Sequence, residues 1–189
     1  KPLLIFEPMT IDYPMASIRF HKFAIEGMQD IQKQTEKSKA FYFPYVEEKR
    51  GVADKLLIEL AKNAAVVITD DYPTYFVPQM TAEAKGSIQT TYELVDSNGL
   101  LPIRIAEKEY VRAHDFRRFM HKNIEDFLVE VPEKDPLEYL NLKFDEKLLE
   151  PIFKKYDLID FNQINTQDFL NNLNVDKSVE VSDVVGGYN

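Results

Sequence analysis

Residues 66–78 read VVITDDYPTYFVP, an apolar run closed by two adjacent carboxylates, then aromatics between two prolines. Val66, Val67 and Ile68 favour a strand, because β-branched side chains pack well on a pleated surface and lose rotamer freedom in a helix. The run is continuous rather than alternating, which suits a strand buried on both faces. Such a strand should stop at Asp70 and Asp71. The pair could bind a metal, cap the next helix or belong to a wider fingerprint, and the residues around it bear on the choice.

Upstream, Leu3-Leu4-Ile5-Phe6 is a second short apolar run of the buried-strand kind. Phe20, Phe23, Ala24, Met28 and Ile31 then recur at steps of three and four, with Ser17 placed to cap a helix. A strand over Ala40–Phe43 follows, and then a helical pattern in Ala53, Leu56, Leu57, Leu60, Ala61 and Ala64. Downstream, a helix starting near Tyr75 carries Pro78 in its first turn, where a missing N–H costs little, and runs to about Lys85. Tyr92–Val95 supplies the next strand. Strands alternating with helices imply right-handed parallel crossovers, so the expected fold is α/β, a doubly wound parallel sheet. Ligands in that class sit at the carboxyl ends of strands. Here those ends are Glu7-Pro8, Pro44-Tyr45, Thr69-Asp70-Asp71 and Asp96-Ser97-Asn98.

From about Val111 the pattern turns helical. Phe116, Phe119, Met120, Ile124 and Phe127 mark an amphipathic helix whose other face carries Arg117, Arg118 and Lys122. Beyond Glu130 come shorter helical pieces, Glu146–Lys155 and Thr166–Leu173, punctuated by Pro132, Pro136 and Pro151. The closing VDKSVEVSDVVGGYN is polar, carries a glycine pair and reads as a linker. These shifts divide the chain into an α/β domain over 1–129 and an acidic helical linker over 130–189.

Net charge is −9 over 189 residues. Residues 130–189 hold 13 acids against 6 Lys/Arg, so most of the imbalance lies there. An acidic tail on a near-neutral body lacks the clustered Lys/Arg that grips phosphates. With no cysteine, disulfides, thiolate catalysis and cysteine-ligated metal sites are excluded, and an intracellular, cytoplasmic setting is favoured. No apolar stretch approaches the roughly 20 residues that span a bilayer, so no membrane partner is expected. The chain begins at Lys1 and enters a strand almost at once, which reads as a trimmed start.

None of the six glycines makes a dinucleotide fingerprint or a phosphate-cradling loop, and no Gly-x-Ser-x-Gly elbow is present. His21, His114 and His121 show no metal-ligand spacing and read as partly exposed helix residues. Asp70 and Asp71, joined by Asp96, could hold Mg²⁺ at the sheet edge. The competing reading is structural: an acid before a helix satisfies free N–H groups, and adjacent side chains on an extended backbone point opposite ways. In VDSNGLLPIR (95–104), Asn98-Gly99 marks a turn, and Asp96 and Ser97 can bond the backbone locally. Arg112, Arg117, Arg118, His121 and Lys122 form either a solvated helix face or a surface for a phosphate or acidic partner. Tyr72, Tyr75 and Phe76 are packing residues on the plain reading, but would also stack against a planar chromophore.

Taken together, IFEPMTIDYPMASIRFHKFAIEGM (5–28), YFPYVE (42–47), VVITDDYPTYFVPQM (66–80), VDSNGLLPIR (95–104) and AHDFRRFM (113–120) resemble the amino-terminal domain of the DNA photolyase and cryptochrome family, with class II-like deoxyribodipyrimidine photolyases nearest. The likeness covers about residues 3–128. It implies a Rossmann-like domain that can house an antenna chromophore, a reduced folate or a deazaflavin. It further implies a parent enzyme whose carboxyl-terminal domain binds FAD and uses light to split cyclobutane pyrimidine dimers in DNA, or a cryptochrome-like photoreceptor of the same fold. That FAD domain would be this chain's partner and would carry the contact with damaged DNA, so no catalytic residue falls here. The lack of tryptophan agrees, because the family's electron-relay tryptophans belong to the other domain. The family's domain opens with a further strand and helix that find no match before KPLLIF. On this reading Asp70, Asp71, Tyr72, Asp96 and Asn98 line the ligand edge, with no metal. The rival from another class is a stand-alone doubly wound module, a Mg²⁺-dependent phosphotransfer or signalling domain using Asp70, Asp71 and Asp96.

Overall fold

The computed structural model describes residues 1–129, 131–156 and 166–188. Glu130, the start of the expected linker, and the closing Asn189 lie outside those residues. The fold is mixed α/β and divides into two compact units, one from Lys1–Leu60 with Asp135–Asn189, the other Ala61–Lys134.

In the first unit, strand β1 (Leu4–Met9) leads into helix α1 (Ile18–Thr35) and strand β2 (Phe41–Val46). Ser17 caps α1 as its position suggests, its hydroxyl accepting from the Phe20 N–H at 3.4 Å. The strands pair in parallel from Leu4↔Phe41 to Met9↔Val46, so β2 runs on past Phe43. Because successive side chains alternate across a strand, this pair feeds two separate cores. Tyr42 and Val46, with Ile5 and Met9, pack under Ile18, Ile25 and Met28 of α1 and under Leu170 and Leu173, which helix α6 (Thr166–Asn172) and its exit supply. Phe43 and Tyr45, with Leu4 and Phe6, face Ala53 and Leu56 of helix α2 (Val52–Ala61). The same face meets Leu149, Ile152 and Tyr156, from a 3-10 turn (Glu146–Leu149), helix α5 (Glu150–Phe153) and its exit. Helices thus cover both faces of β1–β2, and β2 is buried almost throughout, as a parallel strand covered on both faces should be.

The second unit repeats the parallel crossover. Strand β3 (Val66–Asp70), helix α3 (Val77–Ser87) and strand β4 (Thr91–Val95) follow in order, with register Val66↔Thr91 to Asp70↔Val95. A 3-10 turn (Ile103–Ile105), helix α4 (Ala113–Asn123) and a 3-10 turn (Ile124–Phe127) complete it, so the helix expected to reach Phe127 tightens in its last turn. The four strands form two two-stranded sheets, β1–β2 and β3–β4. Burial differs from the sequence-based expectation here. Ile68 is 59% exposed, and only Ala61 and Ile88 are buried among the unit's described residues. The physical reason is local: neither α3 nor α4 buries a side chain, and the aromatic face of α4 closes on itself, with Tyr110, Phe116 and Phe119 ring centroids 5.2–6.3 Å apart.

His21 corrects another expectation. It is fully buried rather than partly exposed, its Nδ1–H donating to the Ser17 carbonyl at 2.9 Å while Nε2 has no hydrogen-bond partner among the described residues. Burial pulls its pKa below the usual 6.5, against the carbonyls of Ser17 and Thr10, which favour the charged ring. A histidine that binds protons less readily folded than unfolded makes the folded state lose stability where the unfolded chain takes up the proton. Stability from this group is therefore full above about pH 6.5 and declines below it, toward the folded-state pKa. Urea midpoints at pH 7.5 and 5.5 should show that decline, and His21→Phe, which keeps a ring beside Tyr13, should flatten it.

Candidate functional site at the carboxyl ends of β3 and β4

Asp70 ends β3, and Asp71 continues the ladder by donating its N–H to the Val95 carbonyl at 2.8 Å. The two side chains then diverge, as adjacent residues on extended backbone must. Asp70 accepts from the Ser97 hydroxyl, just beyond β4. Asp71 takes a forked bond from Arg104, with Nη2 to Oδ1 at 2.7 Å and Nε to Oδ2. Asp96 bonds the Ile103 N–H at 2.6 Å through one oxygen and Asn98 through the other. The Asn98 side-chain amide spans the gap, donating to the Asp71 carbonyl at 2.8 Å and to Asp96 at 3.1 Å.

The result is a closed polar clamp in which the 96–104 loop is tied to both strand ends. Arg104 holds the Asp71 carboxyl below the ordinary carboxylate range, and its own pKa rises in return. Asn98, then the Ile103 N–H, lowers that of Asp96. Both acids are ionised at neutral pH. The Asp71 side chain is 16% exposed and the Arg104 side chain 73%, so the acid lies within the clamp and the guanidinium caps it from solvent.

The structure thus brings together four of the five residues singled out from sequence: Asp70, Asp71, Asp96 and Asn98. Tyr72 does not join them; it is 42% exposed and makes no ring contact among the described residues. Tyr75 is 76% exposed and adopts φ +59°, a left-handed backbone that side chains other than glycine rarely take. Neither aspartate caps a helix. The residue before α3 is Phe76, which offers no side-chain cap. Each carboxylate is committed to a different partner, and no cluster of three or more metal-ligating side chains exists among the described residues. Arg104 was not singled out, although it closes the quoted stretch VDSNGLLPIR; an arginine shortly after an Asx turn is the signal available. Glu47 carried no signal. It lies 1% exposed beyond β2, accepting from the Thr10 hydroxyl at 2.7 Å and from the Val52 and Ala53 N–H groups at 2.7 and 3.2 Å.

On the exposed side of α4, Arg117 and Arg118 face solvent with Lys122 and His121, as the amphipathic pattern implies. No helix among the described residues is long and apolar enough to cross a membrane.

Two parallel β-α-β crossovers, with a polar clamp at the carboxyl ends of β3 and β4, make this a mixed α/β protein. No family model matches the chain. It is similar to a deoxyribodipyrimidine photo-lyase of Methanothermobacter thermautotrophicus, with 28% identity over 152 residues, 80% of this chain. The match spans 32% of that relative's length, about a third.

Proposed function

We propose that the chain is the antenna-type α/β domain of a flavin-dependent DNA photolyase, nearest the class II-like enzymes. The observation that carries this reading is the similarity to a photo-lyase along four fifths of the chain. The strand-end clamp supports it at the residue level, because its members fall where α/β proteins bind ligands. On this reading residues 1–129 contribute to a doubly wound sheet, residues 130–189 lead toward a carboxyl-terminal FAD domain, and that domain repairs cyclobutane pyrimidine dimers in DNA inside the cell. The clamp offers a reduced folate or deazaflavin both donors, from Arg104 and Asn98, and acceptors, from the aspartates. The exposed rings of Tyr72 and Tyr75 offer faces for stacking.

The test is the absorption spectrum of the full-length protein that contains this sequence. Flavin bands with light-dependent dimer repair are expected, and a second near-ultraviolet or blue band marks the antenna. Asp71→Ala with Arg104→Ala should remove that second band and leave the flavin bands and direct-flavin repair in place. A colourless protein without repair activity overturns the photolyase reading. An antenna band that survives both substitutions overturns the placement of the ligand at this clamp.

A further inference from the structure

Helix α1 is covered on two sides. With about 100° of turn per residue, Ile18, His21, Ile25 and Met28 share the face that is buried against the core. Arg19, Phe23, Glu26 and Asp30, at steps of four, three and four, form a stripe within about 60° on the opposite side. That is the side an amphipathic helix ordinarily leaves in water, polar here except for Phe23. Here the segment from Asp176 to Tyr188 lies along it.

The contacts run in order. Asp176 exchanges backbone bonds with the entry to α1, its carbonyl accepting from the Ile18 N–H at 2.8 Å and its N–H donating to the Ala16 carbonyl at 3.0 Å. Arg19 Nε donates to the Glu180 carbonyl at 2.8 Å. Ser182 and Val184 then wall a groove of about 240 Å³ with Arg19, Phe20, Lys22 and Phe23. The Gly186 N–H donates to Glu26 Oε2 and the Tyr188 N–H to Asp30 Oδ2, at 2.9 and 2.8 Å. Apart from the groove, helix side chains and end groups grip the main chain of the segment, so its own side chains contribute little to these bonds. Amides bound to carboxylates are among the stronger hydrogen bonds, and Lys22 holds the other Glu26 oxygen at 2.6 Å.

Two glycines make the fit. A Cβ on Gly186 would lie 1.9 Å from the Phe23 carbonyl oxygen, closer than any side chain can approach. Gly187 adopts φ +110°, and a Cβ there would meet Asp30 Cβ at 2.9 Å. The first glycine supplies space and the second supplies conformation.

We infer that the 19-23-26-30 stripe of α1 is a docking rail for extended main chain, that its occupant is the chain's own 176–188 segment, and that Gly186 is the residue that decides whether the segment seats. Val181 packs against the core beneath α1, whereas residues 186–188 are held by the rail on the opposite side, so seating of that end is a local equilibrium separable from the folding of the core. It also fixes where the main chain stands at Tyr188, whose ring is left 89% exposed.

Amide hydrogen exchange on the 189-residue chain tests this. The Gly186 and Tyr188 amides should be protected in the unaltered protein, and Gly186→Ala should speed exchange at Tyr188 at least about tenfold while the Ile25 and Met28 amides keep their rates. Gly86→Ala is the control, since a Cβ there meets nothing within 4 Å. If Gly186→Ala also loosens the core, the double variant Glu26→Ala with Asp30→Ala decides: faster exchange confined to positions 186 and 188 supports the rail. Exchange at the unstructured rate in the unaltered chain, or unchanged protection of Tyr188 in the variant that retains its core, overturns it.

Discussion

Glu47→Ala is expected to lower the unfolding free energy by about 2–4 kcal/mol, the cost of depriving its hydrogen-bond partners of their acceptor. The carboxylate sits 1% exposed at the start of α2, where one oxygen receives the Val52 and Ala53 N–H groups and the other the Thr10 hydroxyl. Those amides belong to a helix start and have no intrahelical partner, so the carboxylate also meets the positive end of the helix. Gly51 at φ +75° makes the turn that brings the helix start back onto Glu47. Alanine would leave two amides and a hydroxyl without this acceptor, each at about 1–3 kcal/mol if wholly unsatisfied; the buried Ala53 amide bears most of that, because Val52 and Thr10 are part-buried and within reach of water. Glu47→Gln keeps an oxygen for the amides and turns an NH₂ toward Thr10, which can accept instead; its expected loss is about 1–2 kcal/mol. Urea unfolding of both variants measures the pair. Equal losses would mean that charge rather than hydrogen-bond geometry dominates, and a loss below about 1 kcal/mol for alanine would mean that water enters the site.

Phe43→Ala is the second large effect, expected at about 3–5 kcal/mol. The ring is 3% exposed on the α2 face of β2 and sits within an aromatic group: Phe6 at 5.5 Å, Phe41 at 6.3 Å and Phe153, edge-on, at 5.8 Å between centroids. Truncation removes the transfer energy of a buried aromatic ring and leaves a cavity that rigid rings on β1 and α5 cannot fill by small shifts. Phe43→Leu should lose less than half as much. A double-mutant cycle with Phe153→Ala should return a coupling of about 0.5–1.5 kcal/mol, as expected for an edge-to-face pair. Additive effects would place the two rings in independent sites.

Element identity in this chain follows period and punctuation closely. Ser17 as a cap, Pro78 in the first turn of α3 and β-branched runs at strands are local signals, and local physics fixed them. What escaped was whatever depends on distant partners. β3 looks as apolar as β2, yet β2 gains covers from residues far along the chain while Ile68 stays exposed. His21 shares a helical face with buried Ile18, Ile25 and Met28, but a pattern read from apolar residues alone passes over it, and Tyr13 in the loop after β1 stacks beside it. At the clamp, Asp70, Asp71, Asp96 and Asn98 were legible because strand ends place them together. Arg104 was missed because its role needs the loop to fold back, and Glu47 because a single acid after a strand looks like an ordinary surface residue. The closing stretch is polar and reads as a linker, but its order along α1 comes from main-chain donors and acceptors, to which side-chain patterns are blind.

The first unit is written in two instalments. Its chain leaves at Leu60 and returns at Asp135, and the later part supplies Leu149, Ile152, Leu170 and Leu173 to cores that β1, α1, β2 and α2 can only half enclose. During synthesis, then, β1, α1, β2 and α2 leave the ribosome with their apolar faces uncovered and wait through more than 70 intervening residues for their partners. At about 5–20 residues per second that delay lasts several seconds, long compared with helix formation and collapse. The nascent chain is consequently most exposed to aggregation and to chaperone capture while the 61–134 segment is being made, and slowing translation within that segment should lower the soluble yield more than slowing it after Leu173.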